Sequence, residues 1–328
     1  VERLRYTAQH YFICVDGCMS PVPDKDDGSR ASAPISLRRV RQLFSVPSCC
    51  ERSQFLRREI SGRMFERLSL IKTHPSRLLD AGCGEGDDLM SLRQAFPQAE
   101  LFGMDASTAM LAMSRHRSQQ AESRMKKFLR RWRAGLGALE LPYLACADFG
   151  RLPLAASSMD LLWSNLALHW HPQPHRVMRE WARVLRADGL LMFSAFGPDT
   201  FAELRAAYVK AGLVPTVLPF VDLHDYGDMM VEAGFADPVM DMEKLNITYS
   251  SSDELLADVR SFGGNPFVER KAGLTGRAAF GALKRALDEQ KAADGRISLS
   301  VEVVYGHAFR SLPKKNLAGE SIVHLHRR

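Results

Sequence analysis

Three glycines at alternate positions are the feature of this sequence best suited to holding a ligand. They lie in the run Asp80–Gly86, DAGCGEG, directly after the apolar pair Leu78 and Leu79. Glycine tolerates backbone angles that other residues avoid, and it lets a ligand approach the main chain closely. A helix that begins after the run would attract anionic groups to its N-terminus. We expect four of these residues to bind a small ligand that carries a carboxylate: Asp80, Gly82, Gly84 and Gly86.

Two other interpretations of the glycine run stay open at this point. A dinucleotide site of the G-x-G-x-x-G type would need a glycine at position 87, where this chain has Asp87. An acidic side chain is also unfavourable beside a pyrophosphate. The second alternative is a glycine-rich turn that binds no ligand. The run alone does not decide between them.

Polar residues end the next predicted strands in the order that an adenosyl ligand would require. Asp105 follows the glycine run by about 20 residues, a spacing at which a carboxylate can bind both ribose hydroxyls. Asp148 can accept a hydrogen bond from the adenine amino group, and Asn165 ends the strand where a sulfonium would meet its acceptor. This series predicts S-adenosylmethionine as the cofactor. The binding residues predicted beyond the glycine run are Asp105, Ala106, Met110, Asp148, Phe149 and Asn165.

The elements that would position these residues alternate between strand and helix. Short apolar runs lie at Arg77–Ala81, Glu100–Met104, Tyr143–Ala147, Met159–Ser164 and Leu190–Phe196, and helical patterns lie at Asp87–Phe96, Ser107–Arg117 and Pro174–Arg186. This alternation predicts a parallel sheet. The first and last runs lack polar alternation, as expected for strands covered on both faces. We therefore predict an α/β fold with a doubly wound, Rossmann-like sheet.

The remaining segments are predicted to surround this core as one domain over residues 35–310. Leu56, Ile60, Met64, Leu68 and Ile71 recur at helical spacing and predict an amphipathic helix within Leu37–Lys72. The predicted divisions are a disordered extension at 1–34, N-terminal helices at 35–76, the cofactor-binding core at 77–196, a helical cap at 197–296 inserted before a last strand, Leu299–Phe309, and a flexible tail at 311–328.

Residues 118–142 are too long for a plain connection between a helix and a strand. Within them, apolar residues fall on one helical face while arginines and lysines crowd the others, which predicts a basic amphipathic helix at Arg124–Arg133. Such a helix could dock an acidic acyl carrier protein. A solvated basic surface and a nucleic-acid contact are the alternatives that stay open.

Composition limits the function classes further. The formal net charge of +6 favours acidic partners. No run of 18 or more apolar residues is present, so we expect no membrane span. The six cysteines show no C-x-x-C spacing and suit reduced thiols in the cytoplasm. The histidine cluster at His169–His175 has no carboxylate or thiolate at suitable spacing, so we predict no metal site.

Longer motifs resemble a known family over residues Leu37 to Arg310. These motifs are DAGCGEG, SNLALHW, VLRADGLLMFSAF, FGPDTFAELR, LHDYGDMMVEAGF, DVRSFGGNP and DGRISLSVEVVYGHAF. They are similar to the BioC family, the malonyl-acyl-carrier-protein methyltransferases of biotin synthesis. The resemblance implies a class I methyltransferase fold, S-adenosylmethionine as methyl donor and a malonyl thioester on acyl carrier protein as acceptor.

A sister group shares several of these motifs, namely the mitochondrial complex I assembly factor that hydroxylates an arginine on the same fold. Members of the BioC family often carry a tyrosine in the N-terminal helix region, whereas Phe44–Phe55 of this chain contains none. An arginine hydroxylase and a non-catalytic assembly factor therefore stay open as alternatives.

The resemblance also suggests where an acceptor would bind. A malonyl carboxylate is already ionised at neutral pH, because carboxyl pKa values lie at about 4. Methyl transfer to it needs positioning rather than a general base. Arg205 could hold the carboxylate with its planar guanidinium, His169 could donate a hydrogen bond, and Trp170 could exclude water.

The role of Asp105 can be tested directly. We expect Asp105→Ala to weaken S-adenosylmethionine binding by about 1–3 kcal/mol, because charge-assisted hydrogen bonds to the ribose would be lost. Isothermal titration calorimetry measures this change. An affinity equal to that of the unaltered protein would contradict the assignment.

Overall fold

The computed structural model describes residues 13–14, 33–46, 51–132, 141–268 and 276–311. The strands are β1 (Ile13–Cys14), β2 (Arg77–Ala81), β3 (Glu100–Asp105), β4 (Tyr143–Cys146), β5 (Met159–Ser164), β6 (Leu185–Phe196), β7 (Phe235–Tyr249) and β8 (Ile297–Arg310). The helices are α1 (Leu37–Leu43), α2 (Gln54–Ser69), α3 (Asp87–Ala95), α4 (Thr108–Trp132), α5 (Pro174–Val184), α6 (Ala202–Lys210), α7 (Leu223–Glu232), α8 (Ser252–Ser261) and α9 (Arg277–Asp288).

These strands form one mixed sheet in the order β1-β4-β3-β2-β5-β6-β8-β7. The pairs from β1 through β6 are parallel, and β8 is antiparallel to both of its neighbours. The strand order reverses at β2, where the chain crosses from one half of the sheet to the other. Ligands bind at such a switch point, beyond the carboxyl ends of the strands. The predicted doubly wound sheet is confirmed, and the glycine run lies at its switch point.

Both faces of the central strands are buried, because successive side chains point to opposite sides of a strand. Leu78 and Leu161 pack in a core with residues of α2, α6, α8 and α9. Their neighbours Leu79 and Leu162 pack in a second core with residues of α5 and α7. Because both faces are covered, neighbouring residues of one strand, such as Leu78 and Leu79, are both apolar.

The N-terminal helical region contains the predicted amphipathic helix, α2, and a short helix before it, α1. Residues 47–50, between the two helices, lie outside the described part of the chain. Leu56, Ile60, Met64 and Leu68 are buried, as predicted, whereas position 71 follows the end of α2 and is half-buried.

The helix predicted at Ser107–Arg117 and the basic helix predicted at Arg124–Arg133 are not separate. They belong to one 25-residue helix, α4, which extends to Trp132. The predicted helical backbone is therefore confirmed to that residue. Residue 133 and the side chains of 122–132 lie outside the described part of the structure.

The region 197–296 contains the predicted helices and also one strand that the sequence did not predict. The 15-residue strand β7 pairs along β8 at the edge of the sheet. Its side chains alternate between exposed and half-buried, and several are charged, including Asp241, Glu243 and Lys244. An edge strand of this kind lacks the apolar signal of a central strand. The cap is therefore an α/β segment and not an all-helical one.

The two terminal predictions lie mostly outside the described residues. Within 1–34, Ile13 and Cys14 form β1 beside β4, so these two residues are not disordered. Only residue 311 of the predicted tail is described. In the described parts of the chain, no helix is both long and apolar enough to span a bilayer.

The packing of α2 against the sheet gives a stability prediction. Ile60 is 0% exposed within the core cluster shared with β5. We expect Ile60→Ala to lower the free energy of unfolding by about 2–5 kcal/mol, because it leaves a cavity. Glu66→Ala, on the exposed face of the same helix, should change it by less than about 0.5 kcal/mol. Urea titration compares the two, and equal midpoints would show that α2 does not pack as described.

Candidate active site

The glycine run forms the turn between β2 and α3. Gly82, Gly84 and Gly86 all have left-handed backbone angles, with φ of 82°, 51° and 80°. A Cβ on Gly82 would lie 2.3 Å from Cβ of Ala167, and one on Gly86 would lie 2.3 Å from Oγ of Ser114. A Cβ on Gly84 would meet nothing within 4 Å. Two of the glycines therefore pack against protein, while the third faces open space.

Asp105, at the end of β3, holds this turn in place. One of its carboxylate oxygens accepts the N–H of Gly84 at 3.0 Å, and the other accepts the N–H of Ser107 at 2.8 Å. Burial raises the pKa of this carboxyl, and the two N–H donors oppose that shift. The carboxylate thus lies beside the turn with its position fixed from both sides.

A cavity of about 130 Å³ opens above the glycine turn. It lies beyond the carboxyl ends of the central strands and is closed on the other side by residues of α1, α2 and α8. Nine of the predicted site residues line it: Gly82, Gly84, Asp105, Ala106, Met110, Phe149, Asn165, His169 and Trp170. Four predicted residues are not among its lining residues: Asp80, Gly86, Asp148 and Arg205.

Asp80 lies at the end of β2 and is buried. Its Oδ2 has no hydrogen-bond partner among the described residues. Burial, with the nearby carboxylates of Asp88 and Asp105, raises its pKa well above the usual range. A buried oxygen of this kind needs a donor, but Asp80 does not line the cavity, and its contact with the cofactor stays a prediction.

Asn165 connects the end of β5 to the helix above it. Its Nδ2 donates to the carbonyl of Arg57 on α2 at 3.1 Å, and its Oδ1 accepts the hydroxyl of Ser194 on β6 at 2.8 Å. Arg57 lines the same cavity, and its guanidinium donates to the hydroxyl of Ser53 at 2.6 Å. Asn165 therefore helps to place an arginine opposite the glycine turn.

Asp88 supports this arrangement from within the core. Its carboxylate accepts the hydroxyl of Ser61 on α2 at 2.6 Å and the indole N–H of Trp163 on β5 at 2.9 Å. Burial raises the pKa of Asp88, and these hydrogen bonds counteract the shift. The carboxylate ties α2 to the sheet directly below the cavity.

His169 lies in the turn after β5, with its ring against Trp170 and Phe196. Burial lowers its pKa to about 3, so the imidazole is neutral at physiological pH. Its Nδ1 faces the backbone N–H of Phe196 at 3.4 Å, which places the ring proton on Nε2. Nε2 has no partner among the described residues. His169 therefore offers an uncharged donor at the cavity.

Trp170 forms an apolar wall beside His169. Its ring meets that of Phe44 edge to face, with centroids 5.5 Å apart. A Cβ on Gly263, which has a φ of 115°, would lie 2.4 Å from the indole ring. Only a residue without a side chain fits there, so the indole is closely enclosed.

Asp148 is engaged by neighbouring protein groups. Its carboxylate lies 3.5 Å from Arg41 Nη2 and 3.5 Å from His171 Nε2, and it accepts the N–H of Gly150 at 2.8 Å. These contacts lower its pKa despite burial. The structure thus places Asp148 behind Phe149 and beside Arg41, and Phe149 and Arg41 line the cavity. Its predicted contact with adenine stays a prediction.

Arg205 is not where a carboxylate clamp would have to be. Its guanidinium donates to the carbonyls of Pro198 and Thr200, and it therefore fixes the chain between β6 and α6. Arg41 and Arg57 line the cavity instead. Sequence reasoning missed both, because they are two of many arginines in the N-terminal helices and no motif distinguishes them.

Over the described ranges, no three His, Cys, Asp or Glu side chains converge as metal ligands would. Within the predicted histidine cluster, His171 contacts Asp148 and His169 faces the cavity. The two imidazoles therefore face different groups.

Comparison with known proteins identifies several similar chains. Residues 79–193 match the family model described as a methyltransferase domain. The malonyl-[acyl-carrier protein] O-methyltransferase of Laribacter hongkongensis is 40% identical over 293 residues, which cover 88% of this chain and 95% of that protein. The enzyme of the same name from Gallionella capsiferriformans is 40% identical, over 88% of this chain and 96% of that protein.

Among solved structures, the YcgJ protein of Bacillus subtilis matches 78% of this chain and 100% of its own length. Its TM-score is 0.50 and its sequence identity is 16%. This likeness concerns the fold alone.

The geometry of the turn gives a matched pair of glycine variants. We expect Gly84→Ala to abolish most S-adenosylmethionine binding while costing about 1–2 kcal/mol of stability, because its Cβ would enter the cavity from a left-handed residue. Gly86→Ala should cost more stability, because its Cβ also meets Ser114. Thermal unfolding and calorimetric titration measure the two effects. A Gly84→Ala variant that binds the cofactor normally would show that the ligand lies elsewhere.

The low pKa of His169 predicts a pH dependence of stability. Between pH 6.5 and 3, the unfolded chain takes up a proton on this ring that the folded chain refuses. Acidification should therefore cost up to about 1.4 kcal/mol per pH unit from this group alone. In His169→Gln this part of the slope should be missing. Urea unfolding at pH 7.5, 6.5 and 5.5 tests this, and parallel profiles would contradict a buried neutral imidazole.

Proposed function

This chain belongs to the family of malonyl-[acyl-carrier protein] O-methyltransferases, and we propose that it methylates the free carboxylate of a malonyl thioester on acyl carrier protein in biotin biosynthesis. It is an S-adenosylmethionine-dependent methyltransferase with the class I fold. The observation that supports the acceptor is the pairing, within one cavity, of the glycine turn with Arg57 and the neutral His169.

The residues around the turn fit S-adenosylmethionine. When bound there, the cofactor supplies an electrophilic methyl group on its sulfonium. Gly84 leaves the open space that a ligand needs beside the main chain, and the Asp105 carboxylate lies next to it to bind the ribose hydroxyls. Ala106, Met110 and Phe149 add apolar surface in the same cavity, suited to the adenine ring.

The acceptor side suits a group that is already an anion. A neutral His169 with its proton on Nε2 is a hydrogen-bond donor, and its low pKa makes it a poor proton acceptor at neutral pH. A malonyl carboxylate needs no proton removed. Arg57 can hold one carboxylate oxygen while His169 donates to it, and Trp170 excludes water. Catalysis then rests on positioning the free oxygen in line with the methyl group.

An arginine hydroxylase or an assembly factor is the alternative function. A cationic arginine substrate would have to enter a cavity that Arg41 and Arg57 already line. Like charges at short range are unfavourable where water is excluded. Two carboxylates also line the cavity, but Glu85 pairs with Arg117, and Asp105 lies at the glycine turn on the cofactor side.

The remaining predictions concern partners and location. A basic helix at Arg124–Arg133 that docks the carrier protein stays a prediction, since the side chains of 122–132 are not described. The absence of a nucleic-acid partner and the cytoplasmic location also stay predictions from composition.

The function is tested by incubating the protein with labelled S-adenosylmethionine and malonyl acyl carrier protein. We expect a labelled methyl ester, with no label on acetyl acyl carrier protein, which lacks the free carboxylate. Rescue of a biotin auxotroph provides a second readout. A protein that binds the cofactor but labels neither thioester, and does not rescue, would refute the proposal.

The acceptor contacts give a variant test with an internal control. We expect Arg57→Gln to raise KM for the malonyl thioester by about 10- to 150-fold, the equivalent of one charge-assisted hydrogen bond. The Kd for S-adenosylmethionine should change little. Arg205→Gln loses the same charge outside the cavity and should leave KM nearly unchanged. Equal effects of the two variants on KM would contradict a specific role for Arg57.

A further inference from the structure

Arginines are concentrated in the chain segments that close the cavity opposite the glycine turn. Residues 33–46 and 51–60, which contain α1 and the start of α2, hold six arginines and two glutamates. The arginines are Arg38, Arg39, Arg41, Arg52, Arg57 and Arg58. We call this region the α1–α2 surface. Its charge is strongly positive, although the whole chain carries only +6.

The arginines of the α1–α2 surface divide into two groups. Arg41 and Arg57 line the cavity, as described above. Arg38, Arg52 and Arg58 are exposed. The same segments therefore present positive charge both inside the cavity and on the outer surface beside it.

An exposed aromatic side chain lies among the outer arginines. Arg52, Phe55 and Arg58 follow one another at three-residue spacing at the start of α2, and Phe55 is 48% exposed. An exposed apolar group with arginines around it is typical of a contact surface for another protein.

Two of the outer arginines also make ion pairs within the chain. Arg52 lies 2.7 Å from Asp258, and Arg58 lies 3.3 Å from Asp87. Side chains of both arginines are more than half exposed, at 58% and 61%. Exposed ion pairs are weak, and each guanidinium has five N–H donors. Both groups can therefore bind further carboxylates.

We propose that the α1–α2 surface is where an acidic carrier protein docks, with its thioester arm entering the cavity beside Arg57. This inference rests on the proposed function and adds the surface that receives the partner. Arg38, Arg52 and Arg58 attract carboxylates of the carrier protein, and Phe55 packs against it. The arm then passes from a positive outer surface to the positive lining at Arg41 and Arg57, which suits an anionic acyl group.

The test compares single charge reversals in the presence of two substrates. Malonyl acyl carrier protein contains the partner protein, whereas malonyl-pantetheine presents the same thioester without it. We expect Arg38→Glu and Arg58→Glu each to raise KM for the carrier-protein substrate about fivefold or more, with kcat nearly constant. The effect should shrink as salt is added. KM for malonyl-pantetheine and Kd for S-adenosylmethionine should not change.

Arg77→Glu is the matched control. Arg77 has a similar exposure, 53%, and a similar ion pair, 2.9 Å from Glu100. It lies at the amino end of β2, on the opposite edge of the sheet from the cavity. Its reversal should leave KM for the carrier-protein substrate unchanged.

Three results would overturn the inference. The first is an unchanged KM in Arg38→Glu and Arg58→Glu, and the second is an equal rise in Arg77→Glu. The third is a rise confined to Arg130→Glu and Arg131→Glu, which would place the docking surface on the basic segment of α4. Failure of the unaltered protein to methylate either thioester is a different outcome. It would refute the proposed function itself, and the docking inference with it.

Discussion

A half-buried carboxylate, Asp88, connects the two halves of the cavity. The glycine turn and Asp105 belong to the sheet, whereas Arg57 belongs to α2. The chain connection alone does not place α2 above the turn. Asp88 accepts hydrogen bonds from Ser61 on α2 and from Trp163 on β5. A charge that is partly removed from water is stabilised by such donors. The hydrogen bonds that satisfy Asp88 therefore also hold α2 at the edge of the sheet and place Arg57 at the cavity.

The cofactor half was predictable because its signals are local in the sequence. Leu78, Leu79 and Ala81 of β2 are all apolar because both faces of the strand are covered. The glycines after them are required by left-handed backbone and by close packing on Ala167 and Ser114. Asp105 follows at the spacing set by one helix and one strand. Apart from the packing of Gly82 on Ala167, these constraints act within a segment of about 30 residues, the size of one βαβ unit.

The acceptor half was not predictable from the sequence in the same way. Asn165 places Arg57 through a hydrogen bond between residues 108 positions apart, and nothing near either residue indicates the contact. Arg205 had a suitable type and a suitable place after β6, yet its guanidinium binds two carbonyls of its own loop. Strand β7 was missed for a related reason. Its partner β8 begins after two further helices, and its edge position leaves it half-exposed and charged.

The charges around the cavity also explain why a neutral imidazole belongs there. A protonated His169 would add a further cation to a cavity that Arg41 and Arg57 already line, and burial alone already lowers its pKa to about 3. As a neutral ring it still donates a hydrogen bond from Nε2 without that electrostatic cost. An anionic acceptor then finds arginines and one neutral donor in the same cavity, which together orient a carboxylate. An enzyme that had to deprotonate its acceptor would need the opposite, a base with a pKa near 7.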